Sequence, residues 1–269
     1  EKVTGSSLVH QVLSKATTKM KKFSSEFGHN YNSYSFGHAN YCVYENGDKL
    51  SEVYANGHLP YSGSPEVKNI FYMARSARVS LTDFSFTSEN RRVAKKFDGK
   101  FTRVSTPIKE FNVNDKDFLS FCIGYFTKRH GPKIMPPERL SLILNSGTIS
   151  NVVSYEDGGR SMAHVLECSD SIMTHFWYSF YDLDLIHQSL GMWLMLDSAR
   201  FAKKRGAEYL YIGTVYGEKA LYKTAFQNLE YWNGSNWVAD IKKLKALGRS
   251  EGERAVNLID DWKKGLKIF

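Results

Sequence analysis

The chain has 269 residues, of which 42% are hydrophobic, 14% aromatic and 24% charged, and this composition excludes a globally disordered protein. A chain of this length can build one large or two modest domains with enough core to fold without disulfides. The 36 Lys and Arg against 28 Asp and Glu give a net charge of +8. A basic surface attracts polyanions, most often nucleic acid, although solubility alone can also account for it.

Targeting and redox signals favour the cytoplasm. No apolar run approaches the roughly 18–20 residues that span a bilayer, and Glu1 to Ser7 lack the apolar stretch of a secretory signal. Three cysteines, Cys42, Cys122 and Cys168, stand far apart without a CxxC pair. This odd, dispersed set argues against a disulfide framework and against a four-thiolate zinc site. We therefore expect a reducing cytoplasm and no association with membranes.

Residues 1–112 are expected to form a smaller N-terminal domain. Residues 1–30 are polar and lysine-rich, which indicates a helix or a frayed arm. The β-rich runs on both sides of Asn46-Gly47 predict a hairpin, and a further run covers 70–81. Ser88 then stands where it can cap a short basic helix.

Residues 113–269 combine both kinds of periodicity, with Phe118, Phe121, Cys122 and Tyr125 at helical spacing and alternating runs further on. The order predicts an α+β fold, a mixed sheet flanked by helices. In chain order we predict a helix over 115–129, strands over 150–156, 160–168 and 172–181 in an antiparallel meander, a helix over 189–206, a strand over 209–215, a helix over 219–229, a hairpin-like element over 232–240 and a basic helix from 241.

The strongest local signal for a site is "FYDLDLIHQSLGMWLML", where a strand ends in Tyr181-Asp182 and a helix opens at Ser189-Leu190-Gly191. Helix N-termini offer free N–H groups that suit a phosphate, a carboxylate or an oxyanion. The bland alternative is that Ser189 caps the helix and that Gly191 lets it pack on the sheet. The Q/R-x-x-G-x-G/A pattern of acyl-CoA transferases is met only in its first part, because Trp193 stands at the last small position.

A second signal is a buried strand that ends at Gly213, followed by a segment with Lys219, Tyr222 and Lys223 on neighbouring positions. Lysine and tyrosine together can hold a nucleic-acid end by phosphate pairing and base stacking. The alternative is a solvated helix face. The 8 histidines form no HxH, HxxxH or HExxH pattern, so we expect no metal.

These residues resemble the arginyl-tRNA–protein transferases and their bacterial leucyl-transferring relatives. The resemblance extends from about residue 57 to 237, and "FSFTSENRRVAKKF" and "LSFCIGYFTKRHG" are similar to the family's basic segment and to its helix ending in R-H. The chain departs from the family where Leu183 replaces a proline after Asp182, and where "NIFYMARSARVSL" lacks the cysteine cluster. The remaining matches, in order, are Tyr181-Asp182-Leu183-Asp184, Ser189-Leu190-Gly191, Tyr209-Leu210-Tyr211-Ile212-Gly213, Leu221-Tyr222-Lys223, Phe226, Leu229-Glu230 and Trp237.

The resemblance implies an acetyltransferase-like fold that binds aminoacyl-tRNA in place of acyl-CoA, and transfer of an amino acid such as arginine or leucine to the N-terminal amine of a protein. It also implies an acceptor with an acidic N-terminus. Because the chain lacks the family's cysteine cluster, we expect no metal or iron–sulfur cofactor. The sequence leaves the oligomeric state unknown and favours a monomer. Asp182, with Tyr181 beside it, would orient or deprotonate the attacking ammonium.

The same resemblance suggests that N–H groups near Ser189, Leu190 and Gly191, together with Gly213, receive the aminoacyl end. Lys219, Tyr222 and Lys223 would hold the tRNA acceptor end. Arg91 and Arg92 would lie on its phosphates or on an acidic acceptor residue. Two alternatives stay open: a CoA-dependent N-acyltransferase of the same fold, and a non-catalytic binder of tRNA or of peptide N-termini.

Overall fold

The computed structural model describes residues 20–30, 35–45, 47–62 and 69–251. The strands are β1 Lys21–Asn30, β2 Ser35–Val43, β3 His58–Pro60, β4 Ile70–Met73, β5 Ser76–Ser80, β6 Thr102–Pro107, β7 Asn151–Asp157, β8 Arg160–Ser169, β9 Met173–Tyr181, β10 Tyr209–Thr214, β11 Leu229–Trp232 and β12 Trp237–Val238. The helices are α1 Leu50–Ala55, α2 Ser88–Ala94, α3 Lys116–His130, α4 Pro137–Leu144, α5 Leu190–Lys204 and α6 Ile241–Ser250, with 3-10 helices at Leu183–Gln188 and Glu218–Ala225.

Eight of these strands form one large sheet in the order β12-β11-β5-β10-β9-β8-β7-β6. The predicted meander is confirmed, because β7, β8 and β9 pair in antiparallel register. β9 and β10 pair in parallel, and α5 makes the crossover between them. The predicted α+β class, a mixed sheet flanked by helices, is therefore confirmed.

Helices cover both faces of this sheet. Successive side chains of a strand point to opposite faces, so the same strands contribute to two cores. Val153 and Val165 pack into one core with α5 and α2, whereas Val152 and Leu166 pack into a second core with α3 and α4. Tyr181 contacts both cores. The end of β9 is thus the place where the two layers meet.

A second sheet, in the order β1-β2-β4-β3, carries the earlier part of the chain. Its core includes Tyr54 and Phe71 and reaches Met173 of β9 and Tyr211 of β10. The predicted boundary between residues 1–112 and 113–269 stays a prediction. The structure adds that β5 and β6, which precede that boundary, are strands of the large sheet.

Three predictions for the first part were wrong. The stretch before residue 30 contains the strand β1, while residues 1–19 lie outside the described part. No hairpin forms around Asn46-Gly47, because the second run folds as α1 and buries Val53 and Tyr54. The run over 70–81 is two strands in different sheets, β4 and β5.

Helix ends also differ from the predictions. Thr87, not Ser88, caps α2, and its hydroxyl accepts from the Asn90 N–H in a capping box. The segment predicted as a helix over 219–229 is a 3-10 helix followed by β11. Among the described residues, no helix combines the length and the apolar character needed to cross a bilayer.

Candidate active site

A cavity of about 580 Å³ lies at the end of β9, between α3 and the β7–β8 turn. α3 packs against β9, and its buried apolar residues, spaced three or four positions apart, hold it there. The walls comprise Asp117, Ser120, Phe121, Gly124, Tyr125 and Lys128 of α3, Gly159, Arg160 and Ser161 of the turn and of β8, and Tyr181, Asp182, Leu183 and Asp184.

Asp182 is a largely enclosed carboxylate of this cavity, since only 12% of its side chain is exposed, and it forms an ion pair with Arg160. One oxygen accepts from the Arg160 guanidinium at 2.5 Å, and the other accepts from the Asp184 backbone N–H at 3.0 Å. The strand register brings Arg160 here, because the Asp182 N–H donates to the Met162 carbonyl at 2.9 Å. A carboxylate can accept about four hydrogen bonds, so lone pairs remain for a ligand cation.

Tyr181 stands beside Asp182 and packs on Tyr125, with ring centroids 4.8 Å apart. Burial and a hydrogen bond to Tyr181 raise the pKa of Tyr125, so its phenol stays protonated near neutral pH. Behind Tyr181 lies Gly191, where a Cβ would come within 3.0 Å of the Tyr181 hydroxyl oxygen. Gly191 therefore makes room for Tyr181.

The junction that opens α5 is strained. Ser189 occupies the N-cap position with a left-handed backbone (φ 70, ψ 35), and its side chain makes no capping bond, which does not support the alternative that it serves only as a cap. Such a conformation costs a non-glycine residue on the order of 1–3 kcal/mol and often marks functional segments. Leu190 is fully buried in the core. Ser189, Leu190 and Gly191 do not line the cavity themselves, and only Gly191 reaches it, through Tyr181.

Gly213 and Lys223 meet at the end of β10. Gly213 has a φ of +78, and the Lys223 Nζ lies 3.7 Å from where its Cβ would be. Lys223 is only 9% exposed, and its ammonium donates to the Thr214 carbonyl at 2.6 Å. Burial lowers the pKa of Lys223 to about 8.

Lys219 and Tyr222 lie on a different face of the 3-10 helix from Lys223. A 3-10 helix has three residues per turn, so residues 219 and 222 share a face and residue 223 is turned away from them. Lys219 is exposed, and Tyr222 is 49% exposed. Partial burial raises the pKa of Tyr222 to about 12, with Tyr181 adding to the shift and Arg129 opposing it. Lys223 is therefore not on the exposed surface that carries Lys219 and Tyr222.

Arg91 and Arg92 stand apart from this cavity. Arg91 donates to the Phe86 carbonyl at 2.5 Å and lines a different cavity, between α2 and α5. Arg92 forms a two-bond ion pair with Glu89, at 2.8 and 2.6 Å. No described contact brings either arginine to Asp182.

Among the cavity residues that escaped the sequence reasoning are Tyr125, Lys128 and Arg160. Tyr125 had a signal, its helical spacing with Phe118, but that signal indicates only core. Lys128 belongs to the K-R-H end of α3. Arg160 had no local signal, since an arginine after Asp157-Gly158-Gly159 looks like a solvated turn residue.

The described residues contain no group of three or more His, Cys, Asp or Glu that could hold a metal ion. Cys42, Cys122 and Cys168 are all buried and unpaired, and burial raises the pKa of each thiol. The expectation that the protein uses no metal or cluster stays a prediction.

Comparison with known proteins confirms the family resemblance. Residues 116–233 match the family model described as "Arginine-tRNA-protein transferase, C terminus". The chain is 26% identical over 212 residues to the aspartate/glutamate leucyltransferase of Ruegeria sp., covering 71% of this chain and 73% of the relative. It is 28% identical over 193 residues to the protein of the same name in Cereibacter sphaeroides, covering 67% of this chain and 64% of the relative.

Solved structures give weaker likenesses. FemX superposes with a TM-score of 0.40 at 8% identity, over 61% of this chain and 59% of its own. A GCN5-related glucosamine N-acetyltransferase region of a fungal multi-domain protein gives a TM-score of 0.39 at 10% identity, over 59% of this chain and 19% of that chain.

Proposed function

We propose that this chain, whose residues 116–233 match the C-terminal part of arginine-tRNA-protein transferases, moves an amino acid from a charged tRNA to the N-terminal amine of a protein. One observation carries the proposal. Every wall residue of the Asp182 cavity, from Asp117 to Asp184, lies inside the matched segment. The net charge of +8 agrees with a polyanionic co-substrate.

The reaction makes modest chemical demands. The aminoacyl ester is already activated, and an α-ammonium with a pKa of about 8 loses its proton readily. The amine nitrogen attacks the ester carbonyl, a peptide bond forms, the ester C–O bond breaks, and the ribose oxygen takes a proton. Positioning the two substrates is therefore the main task of the protein.

Asp182 and Tyr181 perform that positioning. The free lone pairs of the Asp182 carboxylate accept hydrogen bonds from the acceptor ammonium and steer its proton away from the attacking nitrogen. The phenol of Tyr181, supported by Tyr125, donates to the developing oxyanion or to the leaving ribose oxygen. Ser189, Leu190 and Gly191 take an indirect part, since none of them lines the cavity and Gly191 leaves room for the Tyr181 ring.

The wall carries the cations Lys128 and Arg160 beside the carboxylates Asp117, Asp182 and Asp184. We infer that the two cations bind the side-chain carboxylate of an acidic acceptor residue while Asp182 binds its ammonium. Both relatives are named aspartate/glutamate leucyltransferases, which supports this choice. Arg160 is 69% exposed at its side chain and has further N–H donors beyond its bond to Asp182.

On the tRNA side, exposed Lys219 contacts phosphate and half-exposed Tyr222 offers a stacking ring. Lys223 acts indirectly, since it holds the Thr214 carbonyl and the end of β10. Arg91 and Arg92 contact phosphates further from the reacting ester. We propose that the protein works as a monomer in the cytoplasm, with aminoacyl-tRNA as co-substrate and without a bound cofactor.

The test measures transfer of radiolabelled amino acids from a charged total-tRNA pool to peptides with different N-termini, with and without ribonuclease. Ribonuclease-sensitive labelling of peptides that begin with Asp or Glu is expected, and the labelled amino acid identifies the donor. Labelling of the same peptides from radiolabelled acetyl-CoA, insensitive to ribonuclease, would establish the CoA-dependent alternative. Tight tRNA binding without any labelling would leave a non-catalytic binder.

A matched pair of variants tests the site. Asp182→Asn should lower kcat/KM by about a hundredfold or more, because the amide cannot accept a proton. Asp157→Asn, an exposed carboxylate of the same β7–β8 turn outside the cavity, should keep wild-type activity. Full activity of Asp182→Asn would remove Asp182 from the mechanism.

A further inference from the structure

A second cavity, of about 530 Å³, lies between α2 and the C-terminal half of α5. The two helices pack on each other, which fixes the spacing of the charges on them. We call this cavity and its rim the α2–α5 surface. Its charged residues are five cations and one carboxylate, a local charge of +4: Arg91, Lys95, Arg200, Lys203, Lys204 and Asp98.

Only part of this charge is neutralised within the protein. Arg200 is held by Asp98 through two bonds of 2.9 Å and also bonds Asp197. Lys203 donates to a backbone carbonyl, that of Phe84, at 2.9 Å. Lys95 and Lys204 are exposed, and in the described part of the chain neither side-chain ammonium has a hydrogen-bonding or ionic partner. The surface therefore presents spare cations on a rigid base, as binding of several phosphates requires.

The aromatic residues beneath these cations are already occupied. Phe84 is 6% exposed and packs against Phe86 and Phe226, with centroids 5.8 and 6.3 Å away. The Arg200 guanidinium lies over Phe86, 5.4 Å from its centroid. Single-stranded nucleic acid needs open ring faces for base stacking. This surface offers point charges instead, which suits the sugar–phosphate backbone of a double helix.

α5 connects this surface to the candidate active site. Its first turn holds Gly191 behind Tyr181, and Lys203 follows 12 residues later, roughly 18 Å along the helix at about 1.5 Å per residue. Lys96, which follows α2, donates to the Gln188 carbonyl just before α5. An unpaired 3′ end of about four or five nucleotides, stacked at about 3.4 Å each, covers a similar distance of about 14–17 Å.

We propose that the α2–α5 surface binds the phosphate backbone of the double-helical acceptor arm of the donor tRNA, while the unpaired 3′ end reaches the Asp182 cavity. This inference rests on the proposed function. It assigns a share of the tRNA affinity, beside the contacts proposed for Lys219 and Tyr222, to a surface that takes no part in the chemistry.

The experiment compares two double variants of equal charge change. Lys95→Glu/Lys204→Glu alters the α2–α5 surface, and Lys242→Glu/Lys243→Glu alters two exposed lysines of α6. Binding of uncharged tRNA is measured as a function of salt concentration. The first variant should lower affinity at moderate salt about tenfold and reduce the slope of log K against log salt by about 1.5 to 2, as expected for two lost phosphate contacts. The α6 variant should change both quantities by less than about a third as much.

Transfer kinetics give a second readout. The surface variant should raise the KM for aminoacyl-tRNA about tenfold with kcat changed less than about twofold. With a short aminoacylated trinucleotide, which has no duplex, it should equal the wild type. The neutral pair Lys95→Gln/Lys204→Gln should show a smaller change in the same direction.

Equal losses in both Glu variants, or unchanged tRNA affinity in the first, would overturn the inference. The inference would also be overturned if Lys95→Glu/Lys204→Glu lost the wild-type binding to vesicles of equal parts phosphatidylcholine and phosphatidylserine but kept its affinity for tRNA. The surface would then bind an anionic membrane instead. Absence of any transfer by the wild type contradicts the proposed function separately, since the tRNA-binding arm requires no catalysis.

Discussion

Gly191→Ala is a stringent test of the site, because a single methyl group would press on the side chain beside Asp182. The new Cβ would stand 3.0 Å from the Tyr181 hydroxyl oxygen and 3.1 Å from two of its ring carbons. Ordinary contacts are 3.4–4 Å, so the ring must retreat by about half an ångström. Tyr125 already packs on that ring, which limits the retreat.

Two effects on the free energy of unfolding oppose each other in this variant. Replacing glycine by alanine within a helix stabilises by about 0.5–1 kcal/mol. Crowding a packed ring costs about 1–3 kcal/mol. With central values for both effects, the net loss should be about 1 kcal/mol, a fall in Tm of roughly 2–4 °C. A shift of 1 Å can cost about a hundredfold in rate, so half that distance should lower kcat/KM about tenfold.

Transfer kinetics and thermal unfolding check this prediction. Gly124→Ala is the stability control, since nothing lies within 4 Å of its Cβ position on α3, and its Tm should rise by a few degrees. On a Tyr181→Ala background the Gly191→Ala cost should disappear, because the crowded ring is gone. The reasoning is refuted if Gly191→Ala keeps wild-type kcat/KM, or if its stability cost persists without the Tyr181 ring.

Two further predictions concern stability. Burial lowers the pKa of Lys223 from 10.5 to about 8, so this lysine binds its proton more tightly in the unfolded chain than in the folded one. The free energy of unfolding of the wild type should therefore rise by about 3 kcal/mol between about pH 8 and 10.5, relative to that of Lys223→Met. Urea unfolding measures both free energies, and curves against pH that stay parallel for the two proteins would contradict this prediction. Gly57→Ala should destabilise by about 3 kcal/mol or more, since its Cβ would lie 2.4 Å from the Trp232 indole. Gly99→Ala, with a similar φ of +79 but open space, should cost only about 1–2 kcal/mol, and calorimetry on both separates collision from backbone strain.

The sequence placed two proposed site residues together at the end of one strand. Tyr181 and Asp182 line the cavity as adjacent residues at the end of β9, and that strand was readable from its alternation. The partners of Asp182 were not readable. Arg160 meets it only because β8 and β9 pair in a particular register. Lys219 and Lys223 were grouped on an α-helical surface that a 3-10 helix divides.

Local periodicity by itself determined the meander β7–β9 and the helices α3 and α5, because burial of one face imposes a period of 2 or 3.6 residues on each. Tertiary contacts decided the rest. The run over Leu50–Ala55 became α1 because Val53 and Tyr54 bury completely in the core beneath the small sheet, where Tyr54 bonds His175 at 2.8 Å. Short segments carry too little propensity of their own, so contacts from residues more than a hundred positions away choose their structure.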